Sequence, residues 1–77
     1  MALNNDTYYY DTVRKNIRKY RKEKGYTQAR LAEEADISLD YLVEIESDRR
    51  KKSFSLAVVL GRIADTLKVD IKNFFDN

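Results

Sequence analysis

The 77-residue chain carries 15 Lys and Arg against 13 Asp and Glu, for a net charge of +2, and 43% of its residues are hydrophobic. A chain of this length forms one small domain with a thin core, which removes roughly 60% of the unfolded surface from water. It contains no Cys, His or Pro, so disulfides are excluded and neither a metal site nor a cofactor is expected. No apolar run approaches a bilayer span and the N-terminus lacks signal-peptide features, so we expect a cytoplasmic protein with no membrane role.

The N-terminal segment divides into a polar stretch and a basic helix. We expect residues 1–9 to be a partly flexible arm and residues 10–77 to be the folded domain. The first helix has apolar residues at spacings of four and three, namely Val13, Ile17 and Tyr20. Gly25 is expected to end it, because glycine readily adopts the left-handed conformation that closes a helix.

Residues 27–46 encode two short helices separated by a turn. We expect the first at 28–35 and the second at 39–47, because apolar residues recur at helical spacing in each. Thr27 and Ser38 stand immediately before these helices, where a hydroxyl accepts a hydrogen bond from the first turn. Asp36 occupies the short turn, and this spacing is the geometry of a helix-turn-helix.

Two further helices are expected after the polar loop SDRRKKS, and the chain is therefore all-α. Ser53 or Ser55 is expected to cap the fourth helix, whose apolar stripe is Leu56, Leu60, Ile63, Ala64 and Leu67. We interpret Gly61, within that helix, as a point of close packing. Asp70 is expected to cap a last short helix at 71–75. Its apolar residues exceed what so small a helix buries, so we expect them to contact a second subunit: Ile71, Phe74 and Phe75.

Charge is strongly segregated along the chain. Residues 12–26 contain seven Lys or Arg and one Glu, whereas residues 27–48 contain seven Asp or Glu and one Arg. Four consecutive cations follow at 49–52. This pattern indicates either a polyanion held by the basic flanks or pairing of the flanks with the acidic centre, and the two are compatible.

The segments VRKNIRKYRKEKGYTQARLAEEADISLDYLVEIE and KVDIKNFFD resemble the start and end of the phage repressor and Cro family of helix-turn-helix regulators (lambda repressor-like, XRE-type). The resemblance covers residues 12–77 and implies a compact five-helix domain with the helix-turn-helix at helices 2 and 3. It also implies a homodimer that sets helix 3 into the major groove of double-stranded DNA at a pseudo-palindromic operator, acting as a transcriptional repressor. Asp36, Asp48 and Lys68 stand where this family usually has glycine, and Asp is the better replacement in left-handed geometry.

The resemblance also implies site residues. Thr27 and Gln28 match the start of helix 2, where a phosphate is held, and Arg21 and Glu46 match a partly buried ion pair. The positions that face base edges are Ser38, Leu39, Asp40, Val43 and Glu44. Ser47, Lys51 and Lys52 match the loop after helix 3, which touches the DNA backbone in this family. Because helix 3 is acidic, we also expect phosphate contacts from Arg21 and from the cluster Arg49, Arg50, Lys51 and Lys52.

Two readings of the acidic third helix remain open. Asp40 or Glu44 accepts a hydrogen bond from cytosine N4, or else Asp40 stabilises the helix N-terminus and Glu44 is solvated. The alternative function is a protein-interaction module whose acidic helix 3 docks on a basic partner, because fold alone does not fix function. Catalysis is not expected, since the chain has no His, Cys or glycine-rich phosphate loop. We expect no small-molecule ligand, because no second domain is evident.

Overall fold

The computed structural model describes residues 5–47 and 56–76, and in these ranges every element is helical. The α-helices are α1 (Asn5–Glu23), α2 (Gln28–Ala35), α3 (Leu39–Glu46) and α4 (Gly61–Leu67). A π-helical turn, Leu56–Leu60, leads directly into α4, and a 3-10 helix, Ile71–Phe75, closes the described part of the chain. The all-helical fold is confirmed, but the count of five is not: the described ranges hold four α-helices, and the fifth segment is a 3-10 helix.

Helix α1 is longer at its N-terminus than the sequence indicated. It starts at Asn5, so it includes part of the segment 1–9 that we assigned to a flexible arm. Tyr10 packs against the core, whereas Tyr9 is 51% exposed. The expected apolar stripe of this helix is confirmed, because Val13 and Ile17 have no exposed surface.

One hydrophobic cluster joins α1 to the other helices. Its buried members are Val13, Ile17, Leu31, Ala32, Ala35, Leu42, Ile45, Val59, Leu60, Ile63, Ala64, Leu67 and Phe74. Val59 was absent from the stripe predicted for the fourth helix. The π-helical turn explains the difference, because its wider turn changes the angular register of the residues before Gly61. Both Val59 and Leu60 are therefore buried.

Three helices end in the same hydrogen-bonded motif. One residue adopts left-handed geometry after each helix: Gly25 (φ 78°), Asp36 (φ 60°) and Lys68 (φ 61°). The next residue donates its N–H to a carbonyl five positions earlier, from Tyr26 to Arg21 at 3.0 Å, from Ile37 to Ala32 at 3.0 Å and from Val69 to Ala64 at 3.1 Å. Each donor side chain packs against the core, as expected for a Schellman motif. Asp36 and Lys68 thus take the conformation usual for glycine, while Asp48 lies outside the described residues.

The predicted N-caps that fall within the described ranges are confirmed. Thr27 Oγ1 accepts a hydrogen bond from the Arg30 N–H at 3.0 Å, and Ser38 Oγ accepts one from the Tyr41 N–H at 3.0 Å. Asp70 Oδ1 caps the 3-10 helix through the Lys72 N–H at 3.1 Å. These bonds fix the starts of α2 and α3 at the positions expected from the sequence. The proposed caps Ser53 and Ser55 lie outside the described residues.

The interpretation of Gly61 as a close-packing position is wrong. Among the described residues, a Cβ built at Gly61 would meet no atom within 4 Å outside its chain neighbours and its own helix backbone, and its φ is not in the left-handed region. The residue therefore carries the entropic cost of a helical glycine without a steric reason.

We predict that Gly61→Ala raises the free energy of unfolding by about 0.5–1 kcal/mol, because alanine restricts the unfolded chain and fits the native backbone. Gly25→Ala is the matched control, since Gly25 has positive φ and alanine should lower the free energy of unfolding there by about 1 kcal/mol. Urea denaturation of the parent and both variants measures the difference. A destabilised Gly61→Ala would restore the close-packing interpretation.

Candidate nucleic-acid interface

A bidentate ion pair joins the C-terminal half of α1 to the last turn of α3. Arg21 Nε donates to Glu46 Oε2 at 2.7 Å, and Arg21 Nη2 donates to Glu46 Oε1 at 3.0 Å. The side chains are only 10% and 3% exposed. The two parallel hydrogen bonds match the planar guanidinium to the carboxylate. The structure thus brings together the two residues that the resemblance implied.

The first turn of α2 is connected to the same pair. Gln28 Nε2 donates to Glu46 Oε1 at 3.0 Å, and Arg21 Nη1 donates to the Tyr26 carbonyl at 2.8 Å. Glu46 therefore accepts three hydrogen bonds, and Arg21 contacts the turn that precedes α2. These contacts fix α2 and α3 on α1, which sets the position of the helix-turn-helix.

The five residues implied to face bases lie at the start and along the exposed side of α3. Leu39 and Val43 are each 44% exposed. Asp40 is exposed and Glu44 is partly buried. The Ser38 hydroxyl accepts the capping hydrogen bond from Tyr41, so it is already engaged as an acceptor. This face combines apolar contact surface with carboxylate acceptors and contains no cation.

A groove of about 410 Å³ lies beside this face, between α1, the start of α2 and the end of α3. Its lining includes three cations of α1 and the side chain of Val43: Arg18, Arg21, Lys22 and Val43. Gln28 and Ser47, two of the residues expected to contact phosphate, also line it. Arg18 and Lys22 were not among the predicted site residues. The basic run of α1 was the available signal, but it did not show which cations face α3.

Of the other residues implied to contact phosphate, some lie within the described ranges and some lie outside them. Thr27 is exposed and uses its hydroxyl to cap α2. Arg21 is only 8% exposed, so its implied phosphate contact is restricted to the edge that lines the groove. The four loop cations, Arg49, Arg50, Lys51 and Lys52, lie outside the described residues.

The 3-10 helix docks on α1 rather than extending away from it. Asn16 Nδ2 donates to the carbonyls of Phe74 and Asp76 at 2.7 and 2.6 Å. Phe74 has no exposed surface, and its ring lies 6.0 Å from that of Tyr20. The expectation that Phe74 contacts a second subunit is therefore corrected, because this side chain is buried in the core of its own chain. Ile71 and Phe75 remain 39% and 38% exposed.

A surface cluster holds the turn between α1 and α2. Glu34 accepts hydrogen bonds from Arg30 Nε at 2.9 Å and from the Tyr26 hydroxyl at 3.0 Å, and the Arg30 guanidinium lies 4.3 Å from the Tyr26 ring centroid. Both hydrogen bonds lower the pKa of Glu34, and the one from Arg30 has the larger effect. The hydrogen bond to Glu34 raises the pKa of Tyr26 and that of Arg30. The cluster orients Tyr26 without belonging to the groove.

The described ranges contain no group of three or more His, Cys, Asp or Glu residues placed to hold a metal ion. Within those same ranges, no helix is both long and apolar enough to cross a membrane.

The capped helices α2 and α3, with α3 tied to α1 by the ion pair between Arg21 and Glu46, define a helix-turn-helix protein. A family model described as a helix-turn-helix domain matches residues 15–77, and the chain belongs to that family. The resemblance seen in the sequence is thereby confirmed.

Curated relatives carry regulator names. The chain is 45% identical over 53 residues to the immunity repressor protein of Bacillus phage phi105, a match that covers 68% of this chain and 37% of that repressor. It thus spans little more than a third of the length of that relative. It is also 37% identical over 65 residues to the uncharacterized HTH-type transcriptional regulator YqaF of Bacillus subtilis (strain 168), covering 84% of this chain and 82% of YqaF.

Among solved structures, the chain is similar to the biofilm master regulator SinR in its crystal structure in complex with DNA. The TM-score is 0.73 and the sequence identity 33%, and the match covers 83% of this chain and 98% of that chain. Hence the similarity extends over nearly all of the SinR chain in that complex.

We predict that Glu46→Ala lowers the free energy of unfolding by about 3–5 kcal/mol, because it leaves the buried Arg21 charge without its carboxylate. Thermal and urea melts of the purified variant measure this loss. The control is Glu34→Ala, which removes an exposed carboxylate from its ion pair with Arg30 and should melt close to the parent. If the two variants melt alike, the ion pair between Arg21 and Glu46 does not hold α1 to α3.

Proposed function

We propose that this chain is a sequence-specific, double-stranded DNA-binding transcriptional regulator that acts as a repressor. The observation that carries the proposal is the exposed face of α3, held in a fixed orientation beside a cation-lined groove by the ion pair between Arg21 and Glu46. The DNA complex of the similar SinR supports this function, as do the regulator names of the relatives.

In the proposed complex α3 enters the major groove, which admits an α-helix. Leu39 and Val43, both 44% exposed, contact thymine methyl groups. Asp40 and Glu44 accept hydrogen bonds from cytosine N4, and Ser38 lies at the N-terminal end of the same face. Specificity therefore rests on methyl contacts and cytosine amines rather than on the common Arg or Lys contact to guanine.

Phosphate contacts in the proposal surround α3. The N-terminus of α2, with Thr27 and Gln28, holds one phosphate through its first-turn N–H groups and the helix dipole. Arg21 adds the edge of its guanidinium that lines the groove, and Ser47 lies at the other end of α3. The four cations of residues 49–52 supply further contacts after α3.

One observation favours a second candidate function. The exposed α3 face has two carboxylates and no cation, which suits a basic protein surface as well as a base edge. A protein-interaction module with this fold would keep the buried ion pair while binding no duplex. Binding of the purified chain to duplex DNA at low salt distinguishes the two functions, because only the DNA-binding regulator should show it.

Substitution of the α3 carboxylates tests the base contacts. We predict that Asp40→Asn and Glu44→Gln each raise general affinity for duplex DNA, because a negative charge facing a polyanion is removed while shape is kept. Where the carboxylate reads a cytosine, discrimination at that base pair should fall by about 1–3 kcal/mol. Fluorescence anisotropy with an operator selected from a randomised pool, and with a scrambled duplex, measures both effects.

The exposed α2 residue Glu33 provides the charge-matched control. Glu33→Gln removes the same charge outside the α3 face and should leave base discrimination unchanged. Equal effects of all three substitutions would argue against base contacts by α3. If the parent binds no duplex at low salt, DNA binding itself is refuted and the protein-interaction function is preferred.

We also propose a homodimer that binds a pseudo-palindromic operator, with two copies of α3 about 34 Å apart. The surface available for it on the 3-10 helix is formed by Ile71 and Phe75, which are 39% and 38% exposed. Phe74 supports this surface from the core, where it packs against Tyr20.

Sedimentation velocity tests the dimer. The parent should sediment as a dimer at high micromolar concentration, and Ile71→Ser with Phe75→Ser should shift it towards monomer and weaken operator binding, because one subunit contacts only half of the site. The thermal melt of this double variant shows whether it stays folded. A parent that is monomeric both free and on DNA would contradict the dimer.

A further inference from the structure

The groove between α1 and α3 has an excess of positive charge. Its two innermost ionic groups, Arg21 and Glu46, neutralise each other through their bidentate pair, and Gln28 adds only a neutral amide donor. Arg18 and Lys22 lie one turn apart on the same side of α1 and are both exposed. Within residues 5–47 and 56–76, neither of these two cations is in an ion pair. The groove therefore presents two uncompensated positive charges to solvent.

The position of the groove relates these charges to α3. Val43 lies on the exposed face of α3 and also lines the groove. Arg18 and Lys22 of α1 line the same groove. A duplex that contacts Val43 consequently brings its sugar-phosphate backbone close to the α1 cations. Each strand of duplex DNA carries one negative charge per about 3.4 Å of helix axis, so a backbone beside α3 places more than one phosphate near this part of α1.

We propose that Arg18 and Lys22 form a second phosphate-binding surface, on α1, which holds the DNA backbone flanking α3. This inference rests on the proposed DNA-binding function. The α1 surface offsets the repulsion between the carboxylates of α3 and the duplex. This positive charge has to come from outside α3, because α3 itself contains no cation. It contributes affinity without base preference, because phosphate contacts carry no sequence information.

The test compares two double variants of the full chain with the same change in charge. Arg18→Gln with Lys22→Gln removes the proposed contacts, and Lys15→Gln with Lys19→Gln removes two exposed α1 cations that do not line the groove. All four positions are exposed, so the groove variant should melt like the parent. The control variant should melt only slightly lower, because it loses the contact of Lys19 Nζ with the Tyr20 ring, 5.3 Å from the ring centroid. Anisotropy with the selected operator and a scrambled duplex is measured from 50 to 200 mM salt.

We expect the groove variant to reduce the slope of log affinity against log salt by about 1.8, since each phosphate contact contributes about 0.9. Over this salt range the affinity of the parent should then fall about 12-fold more than that of the groove variant. The loss should be equal on both duplexes, and the control variant should keep most of the parent's slope.

An unchanged slope in the groove variant, or equal slopes in the two variants, overturns the α1 surface while leaving DNA binding intact. A parent that binds no duplex at 50 mM salt instead refutes the proposed function itself. Binding of the parent to poly-L-glutamate but not to duplex, lost in the groove variant, would assign these cations to an acidic protein and overturn the proposal.

Discussion

The ion pair between Arg21 and Glu46 is the interaction on which the rest of the structure depends. Its two residues are 25 positions apart in sequence, and their side chains are almost fully buried. Through further hydrogen bonds they connect α1, the turn before α2, the first turn of α2 and the end of α3. A buried pair contributes little net stability, because desolvation offsets the attraction, but loss of either partner is costly. We infer that its main effect here is geometric: the orientation of α3 relative to α1 is set by charge and hydrogen bonding, while the apolar core supplies most of the stability.

Because Arg21 and Glu46 are paired and buried, they contribute no net charge to the surface around α3. The field around α3 is therefore determined by exposed groups: the carboxylates Asp40 and Glu44 on the helix, and cations on the elements that flank it. In the proposed function, affinity comes from those flanks and base preference comes from α3. Such a division makes binding strongly dependent on salt, and it allows the reading face to be acidic without preventing association.

Most of the fold followed from local signals in the sequence. The helical spacing of apolar residues, the hydroxyl caps Thr27 and Ser38, and Gly25 located α2, α3 and the end of α1, since each acts over one or two turns. What failed depended on tertiary packing. Phe74 was assigned to a subunit interface because sequence does not show that Asn16 and Tyr20 of α1 would hold it in the core. The π-helical turn that buries Val59 was missed for a similar reason, because a helical register shift has no simple sequence pattern. The site was predictable where a family motif fixes the residue, as for Arg21 and Glu46, whereas Arg18 and Lys22 became candidates only when the groove placed them beside Val43.

The most direct measurement is a titration of the ¹⁵N-labelled chain with its selected operator, followed residue by residue through amide chemical shifts. If α3 enters the major groove between phosphate contacts, the largest changes should fall on the N-termini of α2 and α3, along the exposed face of α3, and around Arg18 and Lys22. The amides of the buried residues in α4 should change little, because the core is retained. Changes centred on α4, or no changes at stoichiometric operator in low salt, would contradict the proposed mode of binding.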